Sequence, residues 1–167
     1  MIERILEVIN ETASSLINSS QWHSSGEPFG HIDDTTQEDY IYEFYCFTRI
    51  VDALREDETI LVRFDNSGRM GNLFPKKPAE KNNGWAKFTI TDREGAAYDI
   101  CNGIKIHHSE TEGYTAAPDI SIMKSGQDIP YENDIYLIMD AKYKSDRDAV
   151  LNISELREFA DIVADFS

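Results

Sequence analysis

The chain has 167 residues, 41% of them apolar and 28% charged, which suits one folded domain with a buried core and excludes a disordered chain. Its formal net charge is −15, with 31 acidic residues against 16 basic ones, and this argues against a domain that holds nucleic acid by its own basic face. No apolar run reaches the roughly 18 residues of a membrane span, no signal segment opens the chain, and Cys46 and Cys101 are too few for a disulfide framework or a zinc site; a cytoplasmic chain with reduced thiols is expected.

Ile2, Ile5, Leu6, Ile9, Ala13, Leu16 and Ile17 recur at three- and four-residue steps, which predicts an amphipathic helix over residues 1–17 whose stripe packs on the core. A Ser-, Gly- and His-rich loop follows to Asp34, and its His23 and His31 have no second ligand at metal-binding spacing. Residues 1–35 thus form an N-terminal helix and loop ahead of the main domain, 36–167, the whole being a single compact unit.

Thr36-Gln37-Glu38-Asp39 is a helix start, with a hydroxyl cap and acids in the first turn, and the helix is expected to run to about Arg55. At about 100° per residue, Tyr40, Phe44, Phe47, Ile50, Val51 and Leu54 fall within an arc of roughly 120°. Glu43 falls inside the same arc. A carboxylate on an apolar face is costly unless it is paired or binds a metal, so Glu43 is a candidate site residue. The bland alternative is a glutamate that reaches a basic partner or water.

Residues 59–65 read as a strand ending in the turn Asp65-Asn66-Ser67-Gly68. Arg69, Lys76, Lys77, Lys81 and Lys87 then form the one basic cluster of an acidic chain, either a phosphate-contacting loop or a solvated one. Residues 85–91 and 97–107 are expected to form a hairpin about Asp92-Arg93-Glu94-Gly95. His107 and His108 follow, and as strand neighbours they face opposite ways and cannot chelate one metal together.

Pro118–Lys124 and Ile135–Lys144 read as two strands separated by turn residues at Ser125–Asp128 and Glu132–Asp134. By alternation Ile135, Leu137 and Met139 share one face and Asp140 and Lys142 the other, while Asp119 lies opposite Ile120 and Ile122. If the strands pair, two carboxylates and an ammonium converge. Such a group can hold Mg²⁺ through hard oxygens and set a lysine beside an attacking water. A cross-strand salt bridge with no further role is the competing reading. Beyond Lys144 come a turn at residues 145–148 and a helix capped by Ser154, with Leu156, Phe159, Ala160, Val163 and Phe166 on one stripe.

Pro118-Asp119 followed by Asp140-Ala141-Lys142, 21 residues on from acid to acid, resembles the PD-(D/E)xK nuclease superfamily. The longer strings Pro118-Asp119-Ile120 and Met139-Asp140-Ala141-Lys142-Tyr143-Lys144 are similar to the nuclease subunit of McrBC-type restriction systems. Tyr42-Glu43-Phe44-Tyr45 resembles the Tyr-Glu-x-Trp helix of that group, with Tyr45 at the Trp position. The likeness covers roughly residues 39–144. It implies an α/β fold with a restriction-endonuclease-like core, a central mixed β-sheet flanked by helices. Because the chain stops at Ser167, where the last core strand is due, that strand is expected to be lacking; a fragment, a split protein or a shortened variant would all fit.

The resemblance further implies a metal-dependent DNA endonuclease of a restriction or antiviral defence system. Asp119, Asp140 and the Ala141 carbonyl would hold Mg²⁺ (Mn²⁺ substituting), Glu43 would complete the acidic cluster, and Lys142 would serve the attacking water. The charge of −15 then calls for a protein partner or further domain to supply DNA affinity, and a homodimer is among the assemblies open to it. A different class also fits the charge: a non-catalytic acidic interaction module that retains the nuclease-like fold.

Overall fold

The helix expected near Thr36 is α1 (Glu38–Arg55) in the computed structural model, which describes residues 38–113 and 115–142 together with Glu11, Arg157 and Ala160. The expected helix at 1–17, the loop with His23 and His31, the Ser154 helix and the region where the last core strand was expected to be lacking lie outside the described residues, those three positions apart.

Among the described residues seven strands follow α1: β1 (Leu61–Asp65), β2 (Lys87–Thr91), β3 (Ala97–Asn102), β4 (Ile106–His107), β5 (Thr115–Ala116), β6 (Ile120–Lys124) and β7 (Ile135–Met139). Five make one sheet in the order β1-β2-β3-β6-β7, and β4 pairs with β5 in a small second sheet. The described part is therefore α/β, and among the described residues the five-stranded sheet is antiparallel rather than mixed as expected. Each ladder is antiparallel, and the parallel pairings are isolated bridges at Ala79–Ile104 and His107–Tyr131. For β2–β3 the reason lies in the connection, because the short return Asp92–Ala96 joins antiparallel neighbours, whereas a parallel pair needs a long crossover.

That hairpin forms as expected, with Thr91 opposite Ala97 and Gly95 at φ +87°, a conformation that favours glycine. Its second strand is shorter than expected. β3 stops at Asn102 because Gly103, at φ +58°, turns the chain and donates its N–H to the Asp119 carbonyl at 2.9 Å.

Cross-strand partners place Phe64, Phe88, Ile100 and Ile122 in one row on the sheet face covered by α1. Phe44 and Phe47 reach that row from the helix. Phe74, from the β1–β2 connection, fills the space between, with its ring edge-on to Phe44 at 5.0 Å and to Phe47 at 5.4 Å. This aromatic cluster sets the rotation of α1. Tyr40, Ile41, Phe44, Phe47, Thr48 and Val51 are buried, while Ile50 and Leu54 are only half-buried. Glu43 consequently lies at the border of the buried face rather than in its middle.

The opposite sheet face carries a smaller cluster, in which Cys101, Ile104 and Met123 are joined by Trp85 and Ile135. A bulge where Ile122/Met123 meet β7 separates Ile135 from Leu137 and Met139, so the expected common face of these three is also corrected.

Candidate active site

Ile120 stands opposite Met139 in the β6–β7 ladder. Asp119 and Asp140, one residue beyond that pair on each chain segment, therefore meet at one corner of the sheet. Asp140, Ala141 and Lys142 lie just past the end of β7 rather than within the expected strand. The Ala141 N–H donates to Asp119 Oδ2 at 2.7 Å, and Lys142 Nζ lies 2.5 Å from Asp140 Oδ2. Glu43 faces this corner from α1, close enough for its charge to act on Asp119 and for that of Asp140 to act on it. The structure thus brings together Glu43, Asp119, Asp140, Ala141 and Lys142.

Asp119 is held from behind by groups that the sequence did not single out. Its carbonyl accepts from the Gly103 N–H and, at 3.1 Å, from Asn102 Nδ2; Asn102 Oδ1 in turn accepts from the Tyr40 hydroxyl at 3.4 Å. The available signal was weak: an Asn closing an apolar strand just before a Gly.

The acids are short of positive charge. Burial, then the Asp140 carboxylate, then Asp39 push the Glu43 carboxyl up to about 7, with Lys142 offsetting part of the rise. Burial and a hydrogen bond with Asp140 lift Asp119 well above the usual carboxylate range, against the Ala141 N–H. Burial likewise raises the nearby Cys46 thiol, which makes it a neutral wall residue rather than a nucleophile. Tyr42, Cys46, Ile50, Ile138 and Met139 line a groove of about 380 Å³ that runs up to Asp140 and Lys142.

Among the described residues no three His, Cys, Asp or Glu side chains converge as a ready metal cage. The donors at the corner are two hard carboxylates, with Glu43 beyond them. Mg²⁺ commonly takes one or two carboxylates and keeps several waters, so this donor set fits it. The upward shifts of Glu43 and Asp119, caused first by burial and then by neighbouring acids, point the same way, since a bound cation would offset both costs of holding the charged forms.

The basic cluster is smaller than its sequence suggested. Lys81 and Lys87 turn inward to Asp99, at 2.8 and 2.7 Å, which leaves Arg69, Lys76 and Lys77 on the surface. His107 Nε2 pairs with Glu80 at 2.8 Å, and His108 Nδ1 accepts the Glu110 N–H at 3.2 Å. Among the described residues no helix is long and apolar enough to cross a membrane.

Neither family models, nor curated proteins, nor solved structures match this chain.

Proposed function

We propose that the chain is a Mg²⁺-dependent deoxyribonuclease of PD-(D/E)xK type, cleaving DNA phosphodiesters in a cytoplasmic restriction or antiviral defence system. The observation that carries this reading is the convergence of Asp119, Asp140 and Lys142 at one end of the β6–β7 pair, with Glu43 facing them from α1. A lone cross-strand salt bridge needs one acid and one base; it gives no reason for three carboxylates to crowd together at a cost.

Asp119 and Asp140, with the Ala141 carbonyl, would hold the ion, and Glu43 would reach it directly or through water. Mg²⁺, or Mn²⁺ in its place, would polarise the phosphate and acidify the attacking water. Lys142, kept at the corner by Asp140, orients that water and brings positive charge to the phosphate as the P–O bond breaks. Water oxygen would bond to phosphorus as the P–O3′ bond breaks, and the departing 3′ oxygen would take a proton from solvent, leaving a 3′-hydroxyl and a 5′-phosphate. The groove beside Tyr42 and Cys46 gives the strand a path to the acids.

A non-catalytic acidic interaction module is the second reading, favoured by one observation. Lys81 and Lys87 are spent on Asp99, so a chain of net charge −15 has fewer surface cations for DNA than its sequence promised. Under the nuclease reading, that deficit is met by a protein partner, a further domain or a second copy.

Plasmid cleavage in Mg²⁺ and Mn²⁺ tests the two, comparing the wild type with Asp140→Ala and Lys142→Ala. Cleavage by the wild type, reduced at least about a hundredfold in both variants, is expected. A wild type that neither cleaves nor gains thermal stability with metal would shift the balance to the interaction module.

A further inference from the structure

The sheet face turned away from α1 carries a second polar centre that the proposed active site does not use. Asp99, at the middle of β3, is fully buried there. Its Oδ1 accepts from Ser125 Oγ at 2.9 Å and Thr89 Oγ1 at 3.3 Å, and its Oδ2 accepts from Lys87 Nζ at 2.7 Å. Lys81 Nζ also lies 2.8 Å from Oδ2. Two ammonium groups therefore share one carboxylate whose oxygens are already engaged. Asp65, the next acid, is 3.6 Å from Lys87 Nζ and one-third exposed, so it neutralises this centre only in part.

Two donors here have no acceptor. The Lys81 side chain is only 8% exposed, yet its approach to Asp99 is an ion pair without hydrogen-bond geometry, and no other acceptor meets Nζ among the described residues. Trp85 Nε1 is buried and unmet as well. Buried donors are rarely left in this state, because each forfeits its hydrogen bonds to water. Both side chains line one cavity of about 170 Å³, together with Asn82, Lys87, Cys101 and Gln127.

We propose that this cavity binds a small oxyanion, with Lys81 Nζ and Trp85 Nε1 as its donors. An oxyanion supplies acceptors for both. The cavity is well below the roughly 300–1,000 Å³ of sites for drug-sized ligands, so the ligand is of fragment size. Asp65 and Asp128 also line the cavity and disfavour a multiply charged guest, which places a monocarboxylate ahead of a phosphate. The site lies on the opposite sheet face from Glu43 and does not depend on the nuclease reading.

The test is a titration of the full chain with sodium acetate or inorganic phosphate, against sodium chloride at equal ionic strength, following the Trp85 indole N–H by NMR. A saturable displacement with acetate or phosphate, absent with chloride, is expected, and the anion that saturates first identifies the source. Lys81→Met should weaken binding at least about tenfold, since a charged donor is lost. Should that variant fail to fold, Lys81→Arg should retain binding. Trp85→Phe, which leaves the Asp99 ion pairs in place, should weaken it as read from the backbone amides of Asn82 and Gly84. No saturable change with either anion, or one that persists undiminished in Lys81→Met or in Trp85→Phe, would overturn the proposal and leave a water-filled structural ion cluster.

Discussion

Asp99 and Glu43 show how neighbours decide what a half-hidden or hidden carboxylate does. Burial alone would raise Asp99, but the hydrogen bond from Lys87 and the charges of Lys81 and Lys87 outweigh it and hold its carboxyl below the ordinary 3.8. A folded value below the unfolded one means that Asp99 contributes stability above about 3.8, lost as pH falls through the folded value. Asp99→Asn is expected to cost about 3–5 kcal/mol at pH 7, because it leaves two ammonium groups without their carboxylate. Urea unfolding at pH 7 and pH 3 checks this: the variant should also lose part of the wild type's acid sensitivity. Glu43 and Asp119 act with the opposite sign. Their folded values are raised, so their contribution is present below the ordinary carboxylate range and fades as pH climbs through those values. Asp99 could have been picked out as a charge inside the apolar strand Ala-Tyr-Asp-Ile-Cys. Its partners could not, because Lys81 arrives from a connecting loop 18 residues earlier.

At the scale of elements, periodicity located α1 but not its rotation. A helix period identifies which residues can share a face, and the depth of each is set by what packs against it. Here the deciding partner is Phe74, which belongs to no helix or strand and has no periodic signal. It fits between Phe44, Phe47, Phe64 and Phe88, with its own side chain 1% exposed. Phe74→Ala should therefore cost about 3–5 kcal/mol in chemical denaturation, as deep aromatic truncations do. A loss under 1 kcal/mol would mean that α1 does not depend on this wedge. The bulge in β7 has the same character. Strict alternation assigned Ile135, Leu137 and Met139 to one face, and one extra residue moved Ile135 to the other.

For the molecule as a whole, charge is the property with the widest consequence. If DNA is held through the loop of Arg69, Lys76 and Lys77, no more than about three phosphates are neutralised, and log K should fall with log salt at a slope no steeper than about −3. A much steeper slope, measured by titrating labelled duplex over a range of salt, would place the contacts elsewhere on the surface. Local and adjacent features were legible from the residues: the turn at Asp92–Gly95, the span of α1, the two strands after Pro118, and the order of Glu43, Asp119, Asp140 and Lys142. Such features follow from backbone preferences and from periods of two and 3.6 residues, which act over a few positions. The convergence of Asp119 with Asp140 was legible because it needed only that two neighbouring strands pair. What only the folded chain settled is that the ladders among the described residues run antiparallel, that Glu43 stands at the border of the buried face, and that Lys81 and Lys87 turn away from the surface to Asp99. Those outcomes depend on contacts between residues far apart in the chain, where the competition between burial, packing and charge is settled only once the sheet and α1 have closed on one another.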